Sequence, residues 1–356
     1  MSASLYGIHN SNRNFADPYY WGKNQFNSAF PVALCCYMRD QKIPANYLKL
    51  EKTLDLAQVP ASFDEIFNTS EPNEKLSFSF ESRYPPFSTM VHDDLKSIDL
   101  VIKLHGSETY FRPLEVKLTT LPDSVTCELD ESEYGSELVV RNPTTRYMAL
   151  NMAASCSKDL PIIRDILEPS CHNVRDWNNL SEMSSKKTQI FEALENIFSE
   201  FHHRQQPLLL QPIWKTVGKS AELAHHCLDV FVWSDFALSR LFMGGGGKIP
   251  DKINRQERTA LRLARCLYEI GKSGRVYQQS IYDGMTFDNL NDKEFAVSGA
   301  RTNQMMRCER LTSPIITKDK IQKIILGGGQ KHLSPERRFD AIIYFSKELF
   351  DDEETR

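Results

Sequence analysis

The sequence predicts an α/β fold, a mixed β-sheet flanked by helices with further helical and loop additions. Three observations predict it. Short apolar or strictly alternating segments of strand length stand on both sides of a helical block. Segments with apolar residues at helical spacing separate them. The order strand, strand, helix, strand, strand suits a sheet covered by helices.

The elements follow in chain order. Asn10-Ser-Asn-Arg-Asn-Phe-Ala-Asp-Pro-Tyr-Tyr-Trp-Gly-Lys-Asn-Gln-Phe-Asn27 lacks periodicity, is rich in amides and aromatics, and carries Arg13, Lys23 and Asn24. Such a loop suits the reading of base edges and equally suits a structural wrap on the core. Phe30 to Met38 is an apolar run that reads as a helix, and residues 45–75 read as mixed and partly helical. Leu76-Ser-Phe-Ser-Phe-Glu81 alternates strictly and reads as a strand. Residues 97–117 read as two apolar strands joined at His105-Gly-Ser-Glu108. Asn142-Pro-Thr-Thr-Arg146 opens a helix reaching about Ser157, since Pro143 fits a first turn. A second helix runs from Lys186 to His203, with Ile190, Phe191, Leu194, Ile197, Phe198 and Phe201 at helical spacing. Leu208 to Trp214 and Leu228 to Trp233 read as buried strands.

Met243-Gly-Gly-Gly-Gly-Lys248 marks the best internal boundary. It divides residues 1–243, a helical and loop segment plus the core, from a basic region 244–356 expected to pack on the same domain. The glycine run lacks the spacing and the Ser/Thr of a phosphate-binding loop, which argues against nucleotide binding. Beyond it, Asn254 to Ile270 reads as a helix carrying Arg255, Arg258, Arg262 and Arg265, expected as a solvated face that would otherwise lie along phosphates. Arg301 and Asn303 belong to another basic, amide-bearing patch, and Arg338 to Phe345 reads as a late strand.

Composition bounds the function classes. No apolar run reaches the roughly 18 residues of a membrane span, and no secretory leader is visible at the N-terminus. The 8 cysteines form no Cys-x-x-Cys pair. These features predict reduced thiols in a cytoplasmic compartment rather than a disulfide frame or a zinc finger. His225-His-Cys227 is a weak metal-ligand pattern and reads as packing. The net charge of −4 hides an asymmetry: residues 51–140 carry 18 acidic and 7 basic side chains, and residues 241–340 carry 18 basic and 11 acidic. An acidic segment beside a basic one fits a metal site near an anion-binding surface, but charge alone does not identify a nucleic-acid partner.

The chemistry concentrates in the hairpin. Asp99 lies on its first strand and Glu115-Val-Lys117 ends its second. Strand side chains two apart share a face, so Glu115 and Lys117 project together and Val116 projects into the core. Two adjacent carboxylates repel unless a cation lies between them, and hard oxygen donors with room for water suit Mg²⁺. A lysine beside them can orient or help deprotonate a water. The acid-x-lysine triplet itself recurs at Asp40-Gln-Lys42 and Asp94-Leu-Lys96, and only the third has strand context. The plain alternative is a surface hairpin with an ordinary Glu-Lys pair.

Asp99 with Glu115-Val-Lys117 resembles the PD-(D/E)xK nuclease signature, with Ile98 where that family often has proline. More specifically, Leu5-Tyr-Gly, Asn10-Ser-Asn-Arg13, Tyr20 to Pro31, Arg141-Asn-Pro-Thr-Thr-Arg146, Gln211-Pro-Ile-Trp214 and Asp229-Val-Phe-Val-Trp-Ser-Asp235 resemble HindVP-type restriction endonucleases. The resemblance spans most of residues 5–310. It implies a PD-(D/E)xK core and a Mg²⁺-dependent type II enzyme that cuts double-stranded DNA at a short palindrome, GRCGYC in that group, leaving 5′-phosphate ends. Asp99, Glu115 and the Val116 carbonyl would hold the metal, Lys117 would act on the water, and Glu81 would be an extra acid for a second metal. A palindromic site implies a homodimer, and the group implies a methyltransferase protecting the same site. The residues expected at DNA are Arg13, Lys23, Asn24, Arg141, Arg146, Arg301 and Asn303. Two other readings stay open: a repair or recombination nuclease on the same core, and a non-catalytic DNA-binding protein.

Overall fold

A computed structural model describes residues 35–36, 38–95, 97–121, 142–217, 220–223, 229–244, 253, 255–277 and 306–307. The strands are β1 (Ala45–Leu50), β2 (Leu56–Ala61), β3 (Leu76–Ser82), β4 (Ile98–Leu104), β5 (Lys117–Leu121), β6 (Pro207–Val217), β7 (Ser220–Leu223), β8 (Phe231–Ser234) and β9 (Met306–Arg307). The longer helices are α1 (Asn142–Ser155), α2 (Leu160–Cys171), α3 (Leu180–Phe201), α4 (Asp235–Gly244) and α5 (Arg255–Ser273).

Among the described residues, one sheet has the order β2-β1-β8-β6-β5, with β7 also on β6; a second has the order β4-β3-β9. Pairing is mixed. The β1–β8 and β5–β6 pairs are parallel, and β1–β2, β3–β4 and β6–β8 are antiparallel. Parallel neighbours need a long crossover, and α1, α2 and α3 supply it between β5 and β6. The predicted α/β class, a mixed sheet flanked by helices, is what forms.

The segment after β4 departs from a regular hairpin. Gly106 takes φ +70° at the turn, a conformation that costs glycine little. The returning chain meets β4 only at two isolated bridges, Lys103 with Tyr110 and Leu100 with Leu114. From Lys117 it becomes β5 and pairs in parallel with β6, Lys117 facing Leu210. Residues 110–121 therefore tie the two sheets together.

Residues 45–75 are mixed and partly helical, as read, but the strands in them were not specified: β1 and β2 form an antiparallel pair, and β1 also joins β8. Lys49, Glu51 and Lys52 dilute the period-two signal, and pairing on both sides of β1 outweighs weak local preference. Pro60 is tolerated because, among the described residues, β2 pairs only with β1 and so lies at the sheet edge. A helix does follow at Phe63–Phe67, where Ser62 Oγ accepts from Glu65 N–H and Glu65 Oε2 accepts from Ser62 N–H.

The helices form the rest of the core. Every residue from Thr145 to Ala153 is buried, so α1 is covered on all sides rather than on one stripe. On α3, Ile190, Leu194, Ile197, Phe198 and Phe201 face inward as their spacing predicts, and Phe198 meets Phe236 of α4 at 5.1 Å between ring centroids. Asn179 caps α3 by accepting from Glu182 N–H. The α5 helix packs on α1 and α2, and at Gly271 a Cβ would come within 3.0 Å of Arg164 Cβ. Its arginines do not form the expected solvated face: Arg258 and Arg262 are 7% and 8% exposed, and Arg265 pairs with Glu269 over the Trp177 ring. Lys187 to Glu257 at 2.7 Å and Tyr268 to Glu168 at 2.6 Å bind α5 to α3 and α2.

Cys35, Cys156, Cys171 and Cys266 are buried thiols. No helix among the described residues is long and apolar enough to cross a membrane. The expected strand at 338–345 and the His225-His-Cys227 pattern lie outside the described residues.

Candidate active site

β4 carries Asp99 and the bridged segment beside it carries Glu115. Leu100 and Leu114 exchange backbone hydrogen bonds in both directions, at 2.9 and 3.0 Å, which sets the register of the two segments. One residue further along each, the side chains take over. Asp99 Oδ2 accepts from Val116 N–H at 2.9 Å, and Glu115 Oε2 accepts from Asp99 N–H at 3.4 Å. Each acid thus accepts a backbone N–H from the segment that carries the other. Glu115 is 5% exposed and Val116 3%, whereas Asp99 is half-buried at the edge of the cluster.

The donor set fits a hard cation. Two carboxylates stand on adjacent segments, with the Val116 backbone between them. Hard carboxylate oxygens suit a cation such as Mg²⁺, which takes one or two carboxylates and keeps several waters. No group of three or more His, Cys, Asp or Glu ligands exists among the described residues. Lys117 opens β5 directly after the pair, and Glu81 lies in β3 next to Ser82, which pairs with Ile98. The side chains of Lys117 and Glu81 lie outside the described residues.

The two rival triplets have other surroundings. Asp40 accepts from the Nδ2 of buried Asn73 at 2.6 Å, in a cluster organised by Arg39. Asp94 is exposed in a loop, 3.7 Å from Arg83. Neither Asp40 nor Asp94 lies on a strand.

Behind the pair stands α1. The Tyr147 hydroxyl donates to the Ser97 carbonyl at 2.5 Å, two residues before Asp99. Burial pushes this phenol far above its ordinary value; neighbouring Arg146 opposes the rise, and Glu115 and Asp99 add to it. Tyr147 therefore stays a donor and lies within electrostatic reach of both acids. Sequence reasoning singled out Arg146 but passed over Tyr147, although helical spacing from Tyr147 to Leu150 marks both as inward-facing.

Of the residues expected at DNA, Arg146 is in the core, 1% exposed, with its guanidinium 5.0 Å from the Tyr147 ring centroid. Burial keeps it from any surface contact in this arrangement. Arg13, Lys23, Asn24, Arg141, Arg301 and Asn303 lie outside the described residues.

A model of the HindVP restriction endonuclease family matches residues 21–350. The chain belongs to the HindVP restriction endonuclease family. It is 38% identical over 349 residues to the type II restriction enzyme HgiDI of Herpetosiphon aurantiacus, covering 98% of this chain and 97% of that one. It is 40% identical over 348 residues to the probable type II restriction enzyme HindVP of Haemophilus influenzae, covering 97% and 94%. No solved structure matches. Near full-length coverage of both HindVP-family relatives means that the acidic pair, the crossover helices and the basic C-terminal region all fall inside the shared span.

Proposed function

We propose that this chain is a type II restriction endonuclease with a PD-(D/E)xK core, a Mg²⁺-dependent hydrolase of double-stranded DNA. The observation that carries this reading is the reciprocal hold between Asp99 and Glu115 across β4 and residues 114–116. An ordinary surface hairpin has no reason to enclose a glutamate at 5% exposure beside a second acid. Family membership and the relatives' names support the same reading.

Asp99, Glu115 and the Val116 carbonyl hold the metal, and Glu81 is the acid available for a second one. When bound, the cation supplies charge neutralisation at the scissile phosphate and acidifies the attacking water. Lys117 orients that water for in-line attack, and Glu115 and Asp99 keep the cation's place through their backbone hydrogen bonds. Hydrolysis leaves 5′-phosphate and 3′-hydroxyl ends. The target is a short palindrome, GRCGYC by family resemblance, so the working unit is a homodimer. Arg13, Lys23, Asn24, Arg141, Arg301 and Asn303 contact bases or phosphates; Arg146, enclosed in the core, supports the site from behind. The basic region 244–356 lies along DNA as part of the same domain. The enzyme works in the cytoplasm, beside a methyltransferase that modifies the same site.

Digestion of plasmid DNA with and without Mg²⁺, followed by mapping of the ends, tests this. Discrete fragments with 5′-phosphates at one palindromic sequence are expected only with Mg²⁺. A smear, nicking at junctions, or sequence-specific binding without cleavage would point instead to a repair nuclease or a non-catalytic binder.

A further inference from the structure

We propose that Tyr147 is a positioning residue for the acidic pair, setting the entry of β4 and thereby the metal affinity of Asp99 and Glu115. The inference rests on the nuclease reading of those two acids and adds a residue outside the acid-x-lysine pattern.

Three observations combine. Asp99 sits near the start of β4, one residue after Ile98, whose partner in the ladder is Ser82, and Ser97 before it belongs to no strand. Among the described residues, no strand pairing is shown for Ser97 itself. The Tyr147 hydroxyl holds it, donating to the Ser97 carbonyl at 2.5 Å from a helix whose residues 145–153 are all buried. Both acids, in turn, accept from backbone groups: Asp99 from Val116 N–H, Glu115 from Asp99 N–H. A shift at the start of β4 is then transmitted to the Asp99 N–H and loosens Glu115 as well. A strand slip of one residue would turn Asp99 to the opposite face.

This differs from simple core packing. The Tyr147 ring is 1% exposed and packs among helix and sheet side chains, a role phenylalanine fills equally. The hydroxyl adds a hydrogen bond to the Ser97 carbonyl, at the entry of the strand that bears Asp99, and also bonds to the Arg146 side chain. Groups behind metal ligands commonly change metal affinity by about 10–100-fold when removed.

The test uses the full-length chain with Tyr147→Phe, which keeps the ring. Two readouts of metal affinity are compared with the parent: Mn²⁺ binding followed by the EPR signal of the free ion, and the Mg²⁺ concentration that half-saturates single-turnover cleavage. The expected result is about a tenfold weakening in both. The KM for DNA should stay unchanged, saturating Mg²⁺ should restore most of the cleavage rate, and the metal-free Tm should move little. Parent-like metal dependence overturns the proposal. So does a large fall in Tm, with or without altered metal dependence, because that makes the hydroxyl a general support of the core. Asp99→Ala run alongside separates the two levels. If Asp99→Ala binds Mn²⁺ and cleaves like the parent, the nuclease reading of the pair fails. If Asp99→Ala is inactive while Tyr147→Phe matches the parent, only the role of Tyr147 fails.

Discussion

Asp99 and Glu115 hold each other in place through the backbone between them: the Asp99 carboxylate accepts from Val116 N–H at 2.9 Å, and the Glu115 carboxylate accepts from Asp99 N–H at 3.4 Å. The acids are thus prearranged by the same register that the Leu100–Leu114 bridge sets. Prearrangement matters because a metal site held in position before binding does not have to order its ligands on binding. A bound cation would add a favourable charge interaction with both carboxylates.

Metal should therefore stabilise the fold. At a Mg²⁺ concentration about a hundredfold above Kd, unfolding should cost about 2.7 kcal/mol more than in EDTA. Glu115→Gln should abolish most of that gain, because it removes one of two charged ligands. Urea denaturation with Mg²⁺ or EDTA checks both. An equal Mg²⁺ gain in the variant would place the cation elsewhere.

Asp235 gives a pH signature away from the site. It is fully buried at the start of α4; Oδ1 accepts from Gln206 and Phe236 N–H, while Oδ2 has no hydrogen-bond partner among the described residues. Burial raises its pKa from 3.8 to about 7, and backbone hydrogen bonds from Gln206 and Phe236, followed by Arg112, limit the rise. The folded state thus prefers the proton. The associated stability is present below the unfolded value and is lost as pH climbs towards 7. Asp235→Asn keeps the Oδ1 bonds without a charge. It should be more stable than the parent by roughly 1–3 kcal/mol at pH 8, at about 1.4 kcal/mol per pKa unit with some offset from the unpaired amide. The advantage should shrink towards pH 5. Chemical denaturation at the two pH values reads this, and a variant no better at pH 8 than at pH 5 would contradict it.

Phe198→Ala tests the packing between α3 and α4. The ring is wholly buried and 5.1 Å from Phe236. Its removal should cost about 3–5 kcal/mol, partly as a cavity. A loss under about 1 kcal/mol would mean that the helices close over the gap.

Gly271→Val probes the contact between α5 and α2. With Arg164 Cβ 3.0 Å from the position of a new Cβ and its backbone atoms at 3.2 Å, the helices must separate. Overpacking of this kind costs about 1–3 kcal/mol. A rise in Tm, from the better helix propensity of a non-glycine residue, would show that the helices yield.

Much of this was legible in the residues, for identifiable reasons. The strand at Leu76–Ser82 alternates cleanly, and α3 shows its inward face as a row of Ile, Leu and Phe. Asp99 and Glu115-Val-Lys117 stood out because their strand context was apolar. The β1–β2 pair was not specified because Ala45–Leu50 and Leu56–Ala61 alternate poorly, and pairing of β1 with both β2 and distant β8 outweighs that weak local signal. The arginines of α5 were expected to be solvated because a helix sequence does not say what covers it; Arg258 and Arg262 are enclosed instead. Arg146, expected at DNA, is enclosed as well. Tyr147 was invisible because its role depends on Ser97, fifty positions away in the chain.

The most direct measurement is Mg²⁺-dependent cleavage of cognate DNA by Asp99→Ala and Lys117→Ala, paired with binding of the same duplex in the absence of metal. Both variants should bind duplex as the parent does, while Asp99→Ala loses cleavage and Lys117→Ala loses about 10²–10⁴-fold in rate. Cleavage by Asp99→Ala at the parent level would contradict the assignment of the site.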